Sequence, residues 1–307
     1  MAELRQAFER YLERITLDRT RTNRITSAYG ALECAVSDDA PIQGIARGIY
    51  LQGSFAHGTC VRPTRGAFDV DVVLALDANE DGFLGIPERR NPEELLRWLA
   101  DRLRICTPAT SSIMQRRRCI RIQYADEFHL DVVPAHCRKS LESALYVPDR
   151  RAQDWTESHP RGLSRWCERL ESRTHGQFTS VVKVFKRWRD LVFADGRGPR
   201  SIVLEALVGR FIPTDCDSTA EAVAETADAI LEFLNDHVFF PYTVSLPNPS
   251  LEDEDLTRDW SNDDCSLFRK RLVTLARRVN DAFEEDDRDR SALLWRDALG
   301  PDFAGSV

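Results

Sequence analysis

The spacing of apolar residues along the chain changes between a helical and a strand period. In the first forty residues apolar side chains recur every three or four positions, which predicts two helices, or one helix broken near 16–18. Shorter apolar runs at 46–52 and 69–77 predict strands. Loops are expected over 38–42 and 78–90, so the chain begins as helices followed by the first strands of a sheet.

The next segments continue this mixture of elements. The run Asn91-Pro92-Glu93-Glu94 combines a capping residue, a proline in the first turn and two acids, and it predicts a helix to about Arg104. Strands are expected at 120–124 and 128–133, joined by a tight turn and ending the sheet. Residues 138–163 are polar and contain prolines, which predicts a crossover connection.

Helical spacing dominates from Leu163 onward. Three prolines between 241 and 249 predict a long loop, followed by a last helix from about 264 to 285. One helix of this region carries an apolar stripe formed by Phe178, Val181, Val182, Phe185, Trp188 and Val192.

Two aspartates interrupt the most apolar of the predicted strands. Asp69 and Asp71 stand two positions apart, so their side chains point to the same side of the strand, ~7 Å apart. Charge on a buried strand costs several kcal/mol unless it is compensated. A divalent cation is the natural compensation, and oxygen ligands suit Mg²⁺ or Mn²⁺.

A third carboxylate follows on the strand at 128–133. Asp131 shares one face of that strand with His129, and the local sequence shows no evident salt-bridge partner for it. If this strand lies beside the first, three carboxylates converge at one end of a sheet. Two metal ions held this way can activate an attacking hydroxyl and stabilise a leaving pyrophosphate.

The segment before these acids has the features of a phosphate grip. Gly53 and Ser54 follow a predicted strand that ends at Gln52. Glycine lets the backbone come close to a phosphate, and amides at the following turn can hold the anion together with the serine hydroxyl.

Each of these signals also has a structural explanation. A single D-x-D pair is often a solvated strand face, and Gly-Ser alone is usually a turn. Lys183, Lys186 and Arg187 form either a solvated helix face or a wall for a triphosphate, and Ser201 is a helix N-cap or an anion contact. The three acids and the Gly-Ser pair at fitting spacing favour the catalytic interpretation.

Three further features stay open. His57 is expected to be exposed, whereas His129 either lines the site or makes a structural hydrogen bond. The basic run 116–118, which clusters with Arg121, is expected to be a solvated edge. Asn248, between two prolines, is expected to fix the shape of its loop.

Composition narrows the classes of function. The chain of 307 residues has a net charge of −8, which argues against a general nucleic-acid binder. No apolar run approaches the ~20 residues of a membrane span, and the first residues lack the apolar stretch of a signal peptide. The eight cysteines show no C-x-x-C spacing and predict reduced thiols. We therefore expect a cytoplasmic protein without membrane or strong nucleic-acid binding.

These motifs together resemble the cGAS/DncV-like nucleotidyltransferases (CD-NTases) of bacterial anti-phage signalling, a branch of the DNA polymerase β superfamily. The resemblance covers most of the chain. The motifs that carry it are Gln52-Gly53-Ser54, Gly58-Thr59, Asp69-Val70-Asp71, Asp131, VKVFKRW at 182–188, SIVLE at 201–205, and 241–255 with Leu246-Pro247-Asn248-Pro249.

The resemblance implies a fold and residue roles. The fold is α/β (α+β), bilobed with a central cleft: N-terminal helices over 1–40, a nucleotidyltransferase core over 41–160 and a helical lobe over 161–307. The implied roles fall into two groups. Asp69, Asp71 and Asp131 are the catalytic metal ligands for two Mg²⁺ (Mn²⁺ possible), and Gln52, Gly53, Ser54, Lys186 and Ser201 bind the nucleotide.

The implied activity joins nucleoside triphosphates, ATP among them, into a cyclic di- or trinucleotide messenger that a downstream effector reads. A regulatory protein partner is also implied. Three alternatives stay open: a linear oligonucleotide synthase, an enzyme that nucleotidylates RNA or protein, and a catalytically silent nucleotide-binding module. The bases joined, the linkage, the activating signal and the oligomeric state do not follow from the residues.

Overall fold

A computed structural model describes most of the chain. The described residues are 4–64, 66–77, 91–107, 112–124, 128–193, 196–236 and 244–303. The expected loop at 78–90, the turn at 125–127 and Pro241 lie outside them.

Helices and strands mix in the first half of the described chain, and helices dominate the second half. The helices are α1 (Arg5–Ile15), α2 (Arg19–Asp38), α3 (Ala40–Gln43), α4 (Gly53–Ala56), α5 (Pro92–Cys106), α6 (Pro160–Arg173), α7 (Gln177–Val192), α8 (Ser201–Phe211), α9 (Thr219–Asp236), α10 (Asn262–Glu284) and α11 (Arg288–Leu299). The strands are β1 (Ala46–Gln52), β2 (Phe68–Asp77), β3 (Ser112–Gln115), β4 (Ile120–Gln123), β5 (Phe128–Cys137), β6 (Leu145–Asp149), β7 (Asp154–Ser158), β8 (Pro247–Asn248) and β9 (Leu251–Asp255). The predicted α/β (α+β) class is confirmed.

The chain divides into two compact units. The sheet unit consists of Asp18–His57 and Arg65–Arg165, and the helical unit consists of Met1–Leu17, Gly58–Thr64 and Trp166–Val307. The three-part division expected from the sequence stays a prediction.

The break after α1 and the capped start of α5 confirm the sequence predictions. The chain leaves α1 at Ile15, and the Asp18 carboxylate accepts a hydrogen bond of 2.8 Å from the Arg21 amide to begin α2. Asn91 accepts from the amides of Glu93 and Glu94 at 2.9 and 3.0 Å and begins α5. Both capping side chains satisfy amides that have no partner within the helix.

The sheet unit is built on one parallel pair of strands. The order is β1-β2-β5-β4-β3, in which β2 and β5 are parallel and the other neighbours are antiparallel. The connection between the parallel strands passes through α5, as a parallel pair requires a crossover. Because β2 and β5 run in the same direction, the acids near their starts meet at one end of the sheet.

Two expectations about the elements of the sheet unit were wrong. The segment 138–163 holds the β6–β7 hairpin, in which Pro148 lies opposite Trp155, instead of a plain crossover. Proline disfavours strands but is tolerated next to a sheet edge, and among the described strands this hairpin pairs with the rest of the sheet through β5. The expected loop at 38–42 contains α3, whose start is capped by Asp39 through a 3.0 Å bond from the Ile42 amide.

The predicted last helix, α10, is followed by α11. The signal for α11 was present in the sequence, since Ala292, Trp295 and Leu299 recur at helical spacing and are buried. Acidic and basic residues around these positions obscured the pattern.

The helical unit encloses one large apolar core. The predicted stripe on α7 is confirmed, with Val192 partly buried and the other five residues buried. Residues 58–64 belong to this unit: the Arg62 amide donates to the Ile15 carbonyl at 2.6 Å, and Val61 bridges Thr16. Among the described residues, no helix has the length and apolar character needed to cross a membrane.

Candidate active site

Strand register aligns four polar residues across the sheet, and we call them the polar row: Gln52 on β1, Asp71 on β2, Asp131 on β5 and Arg121 on β4. Gln52 pairs with Asp71, Asp71 with Asp131, and Asp131 with Arg121. Residues in register on neighbouring strands place their side chains on the same face. The sheet therefore sets two carboxylates side by side, with an amide at one end and a guanidinium at the other.

Asp69 and His129 form the next pair on the same parallel strands. The His129 imidazole contacts the Asp69 carboxylate. One ligand atom from each of Asp69, His129 and Asp131 lies within 4.8 Å of the other two. Carboxylate oxygens with one imidazole nitrogen are a donor set that Mn²⁺ accepts, and the carboxylates alone suit Mg²⁺. The residues present therefore fit a divalent cation.

The electrostatics of Asp71 show that these acids interact. Burial and the charges of Asp131 and Asp69 raise the pKa of the Asp71 carboxyl to about 6. Arg121 and His57 act in the opposite direction but do not cancel the rise. A carboxylate whose negative charge is this unfavourable is one that an added cation stabilises.

Gly53 places the chain directly against Asp71. Its backbone is left-handed with φ of 69°, and a Cβ at this position would lie 2.5 Å from an Asp71 carboxylate oxygen. Gly53 also begins the short turn α4, in which Ser54 is the second residue and the His57 amide donates to the Gly53 carbonyl at 3.0 Å. Only glycine fits both the conformation and the space.

We expect Gly53→Ala to abolish turnover and to lower the melting temperature, because the new methyl group must displace the Asp71 carboxylate. Gly66→Ala is the matched control: Gly66 has φ of 66° but an added Cβ meets nothing within 4 Å. Both variants should lose about 1–2 kcal/mol from the left-handed backbone. Normal turnover in Gly53→Ala would contradict this expectation.

The partner of Asp131 was missed by sequence reasoning. Arg121 donates from Nε to Oδ1 at 2.8 Å and from Nη2 to Oδ2 at 2.7 Å. The two residues are ten positions apart, across the β4–β5 hairpin. Arg121 lies between the buried Ile120 and Ile122, so its side chain points to the other face of β4 from theirs. This alternation could have placed Arg121 on the same face of the sheet as Asp131. The expectation of no local partner was wrong because it ignored hairpin register.

Lys186 lies inside the helical unit, on α7. Only 1% of its surface is exposed, and its Nζ donates to a Glu205 carboxylate oxygen at 2.6 Å and to the Thr59 hydroxyl at 2.9 Å. The Thr59 hydroxyl also donates to the same Glu205 oxygen at 2.5 Å. We call these three residues the buried triad. The interpretation of Lys186 as part of a solvated helix face was wrong, and its contact with a triphosphate stays a prediction.

Ser201 is the first residue of α8, and Arg200 holds the cap position. The Ser201 hydroxyl accepts a 3.1 Å hydrogen bond from Arg189, which also donates to the Pro199 carbonyl. Arg187, expected beside Lys186, donates to Asp302 at 2.7 Å from Nε. The structure thus places Ser201 next to a cation, and its contact with a nucleotide stays a prediction.

The features left open from the sequence have structural partners. His57 is half-buried, and its Nε2 lies 3.1 Å from the Ser164 hydroxyl, so the expected exposure was wrong. In the basic run Arg116 and Arg117 are exposed, as expected of a solvated edge, but Arg117 and Arg118 also donate to the buried Asp149 at 2.8 and 2.9 Å. Burial opposes ionisation of Asp149, but these bonds hold its pKa below the usual range.

Asn248 fixes its turn as expected. Its carbonyl oxygen accepts from the Ser250 amide and hydroxyl, both at 2.9 Å, and its amide donates to Glu254 at 2.7 Å. This side chain stabilises the β8–β9 hairpin by local hydrogen bonds.

Comparison with known proteins identifies relatives of the whole chain. Residues 1–170 match the family model described as "Second Messenger Oligonucleotide or Dinucleotide Synthetase domain" (SMODS). A c-di-GMP synthase of Roseivirga ehrenbergii is 26% identical, covering 98% of this chain and 85% of the relative. The cyclic dinucleotide synthase CdnG of Bradyrhizobium diazoefficiens is 31% identical, covering 83% of this chain and 70% of the relative.

The fold has solved counterparts. The structure of the Bradyrhizobium diazoefficiens CD-NTase CdnG in complex with GTP superposes with a TM-score of 0.80, at 20% identity, over 98% of this chain and 96% of that one. At this identity the likeness speaks for the fold alone.

Proposed function

Because the chain belongs to the SMODS family, we propose that it condenses nucleoside triphosphates into a cyclic di- or trinucleotide and releases pyrophosphate. Membership confirms the resemblance to CD-NTases noted in the sequence. The observation that carries the proposal is the meeting of Asp69, Asp71 and Asp131 beside Gly53. Family and site chemistry therefore point to the same reaction class.

The reaction joins a ribose hydroxyl of one nucleotide to the α-phosphorus of another. The O–P bond forms as the bond to pyrophosphate breaks, and the hydroxyl proton is lost to a base. Bound Mg²⁺, or Mn²⁺, would neutralise phosphate charge and acidify the hydroxyl. Asp69, Asp71 and Asp131 would hold the ions, and their positions on two paired strands keep them fixed before substrate arrives.

Other residues would grip the triphosphate. Gly53 lets the backbone approach the phosphates, and the Ser54 hydroxyl, next along the chain, is suited to donate to them. Gln52 lies in the polar row beside Asp71 and would present its amide to the same region. Lys186 and Ser201 would also bind the triphosphate. Lys186 Nζ donates to Glu205 and to both the hydroxyl and the carbonyl of Thr59, so a contact with phosphate requires it to exchange one of these three hydrogen bonds.

The relatives' names support a cyclic product. The Roseivirga protein is named a c-di-GMP synthase and the Bradyrhizobium protein a cyclic dinucleotide synthase. We propose by analogy that a downstream effector reads the product in anti-phage signalling, and that a protein partner regulates synthesis. We also propose that the enzyme acts in the cytoplasm.

Pyrophosphate release tests the proposal. Purified protein incubated with the four nucleoside triphosphates and Mg²⁺ should release pyrophosphate and yield a product that resists phosphatase, because a ring has no terminal phosphate. Mass spectrometry of that product identifies the bases and ring size. The variant with Asp69→Asn and Asp71→Asn is the matched control and should be inactive.

Two results would decide against the proposal. A phosphatase-sensitive product would favour a linear oligonucleotide synthase. The absence of pyrophosphate release from every mixture, with cell extract added, together with tight binding of a non-hydrolysable nucleotide, would indicate a silent binding module.

A further inference from the structure

Arg121 is the residue of the polar row that the proposed reaction does not explain. Its guanidinium contacts two of the three acids: it makes the two bonds to Asp131 described above, and Nη2 also donates to Asp69 at 2.9 Å. Its side chain is 17% exposed. The planar fork of arginine suits this arrangement, because one group donates to several carboxylate oxygens at fixed angles.

The charges around Arg121 explain why a cation is needed there. Asp71 and Asp131 lie opposite each other on paired strands, and like charges in that position are destabilising. Asp69 adds a third carboxylate nearby. An arginine side chain stays charged at every accessible pH, so Arg121 supplies one permanent positive charge to the cluster.

The two acids that Arg121 contacts differ in burial and in the number of hydrogen bonds they accept from it. Asp131 is 10% exposed and uses both carboxylate oxygens for Arg121, whereas Asp69 is 53% exposed and accepts one bond from it. Exposed ion pairs are worth little, and buried, doubly bonded ones are much stronger. A cation arriving from solvent therefore competes with Arg121 for Asp69 more easily than for Asp131.

We propose that Arg121 is a positioning residue that orients Asp131 through its paired hydrogen bonds and acts as a built-in counter-cation competing with divalent ions for Asp69. This inference rests on the proposed function, since it takes these acids as metal ligands. In the metal-free protein Arg121 holds the carboxylates together, and in the presence of metal it weakens binding by its own charge. Removing Arg121 should therefore destabilise the metal-free protein and strengthen the binding of divalent ions.

The experiment measures Mn²⁺ affinity and thermal stability in the full chain, without nucleotide. Mn²⁺ binding is followed by electron paramagnetic resonance of the free ion, and melting by scanning fluorimetry in EDTA and in saturating Mn²⁺. Arg121→Gln should melt several degrees lower than the wild type in EDTA and bind Mn²⁺ about tenfold more tightly. Arg121→Lys keeps the charge without the fork, so its affinity should rise only about two- to threefold.

Arg118→Gln is the matched control, in the turn that precedes β4. Arg118 makes two bonds to the buried Asp149, so its loss should lower the melting temperature equally with and without Mn²⁺ and leave the affinity unchanged. If Arg121→Gln behaves in this way, Arg121 is a structural ion pair and the inference is overturned. Should Arg121→Gln fail to fold, Arg121→Lys decides: unchanged Mn²⁺ affinity in that variant overturns the inference.

The failure of this inference is distinguishable from that of the proposed function. If the wild type binds Mn²⁺ and releases pyrophosphate but Arg121 variants bind Mn²⁺ no more tightly, only the role inferred for Arg121 is refuted. If the wild type shows no Mn²⁺ binding and no pyrophosphate release, both fall together.

Discussion

Asp71→Asn is expected to lower pyrophosphate release by about 10³-fold while making the metal-free protein more stable. The loss of rate follows from removing a proposed metal ligand, since such ligands supply several kcal/mol of charge stabilisation in the transition state. The gain in stability follows from removing a negative charge that burial, Asp131 and Asp69 make unfavourable. A stable but inactive variant is the result expected when a residue is kept for function at a cost to stability.

The stability gained by Asp71→Asn should depend on pH in a defined way. The folded state raises the Asp71 pKa from 3.8 to about 6, so it binds the proton more tightly than the unfolded chain does. The contribution of Asp71 to wild-type stability should therefore fall as pH rises from about 4 to about 6 and level off above, a loss of at most about 3 kcal/mol, and the comparison with Asp71→Asn isolates it from other titrating groups. Asparagine does not titrate, so the advantage of Asp71→Asn should appear over this window and persist at pH 8.

Melting in EDTA at pH 4.5 and pH 8 measures this difference, and pyrophosphate release with Mg²⁺ measures the rate. Asp77→Asn is the control: Asp77 lies at the other end of β2, where it pairs with Arg47 at 3.2 Å. It should keep nearly full turnover. If Asp71→Asn retained more than a tenth of the wild-type rate, the role assigned to Asp71 would be wrong.

Glu205→Leu should cost about 3–5 kcal/mol of stability, the largest loss we expect from a single substitution in the helical unit. Glu205 is 3% exposed and accepts from both Lys186 and Thr59 in the buried triad. Leucine fills similar volume but leaves the buried Lys186 ammonium without its counter-charge. A buried charge without a partner costs far more than the pair contributes.

The double variant Lys186→Met with Glu205→Leu should recover most of that loss. Replacing a buried ion pair by apolar residues of similar volume is often neutral, so the two substitutions should couple by more than about 2 kcal/mol. Urea unfolding of the wild type, both single variants and the double variant measures the coupling. Arg258→Leu, which removes a half-exposed pair with Glu254, should cost less than about 1 kcal/mol and serves as the control.

The same double variant also tests the proposed contact of Lys186 with the triphosphate. If the contact exists, stability returns while the Michaelis constant for nucleoside triphosphate stays raised. If stability and the Michaelis constant both return to wild-type values, Lys186 acts only within the buried triad and does not contact the triphosphate. Additive losses in the four-variant cycle would mean that Lys186 and Glu205 do not act as a pair.

Local patterns explain why much of the fold followed from the sequence. The strands β1 and β2, the break between α1 and α2, the capped start of α5 and the stripe on α7 each depend on residues close together in the chain, and each was confirmed. The errors arose where local signals conflicted with their surroundings. Pro148 obscured a strand next to an edge, and the charges around Trp295 obscured α11.

The amino-acid sequence by itself determined which residues could do chemistry, because Asp69, Asp71 and Gly53 are conspicuous among the apolar or strand-forming residues around them. Only the tertiary structure decided which side chains compensate the buried charges. Pairing of β2 with β5 and of β5 with β4 set Arg121 against Asp131, and chain folding set Lys186 against Glu205. The reason is physical: the partner of a buried charge is chosen by strand register and packing between segments distant in the chain, which local patterns do not encode.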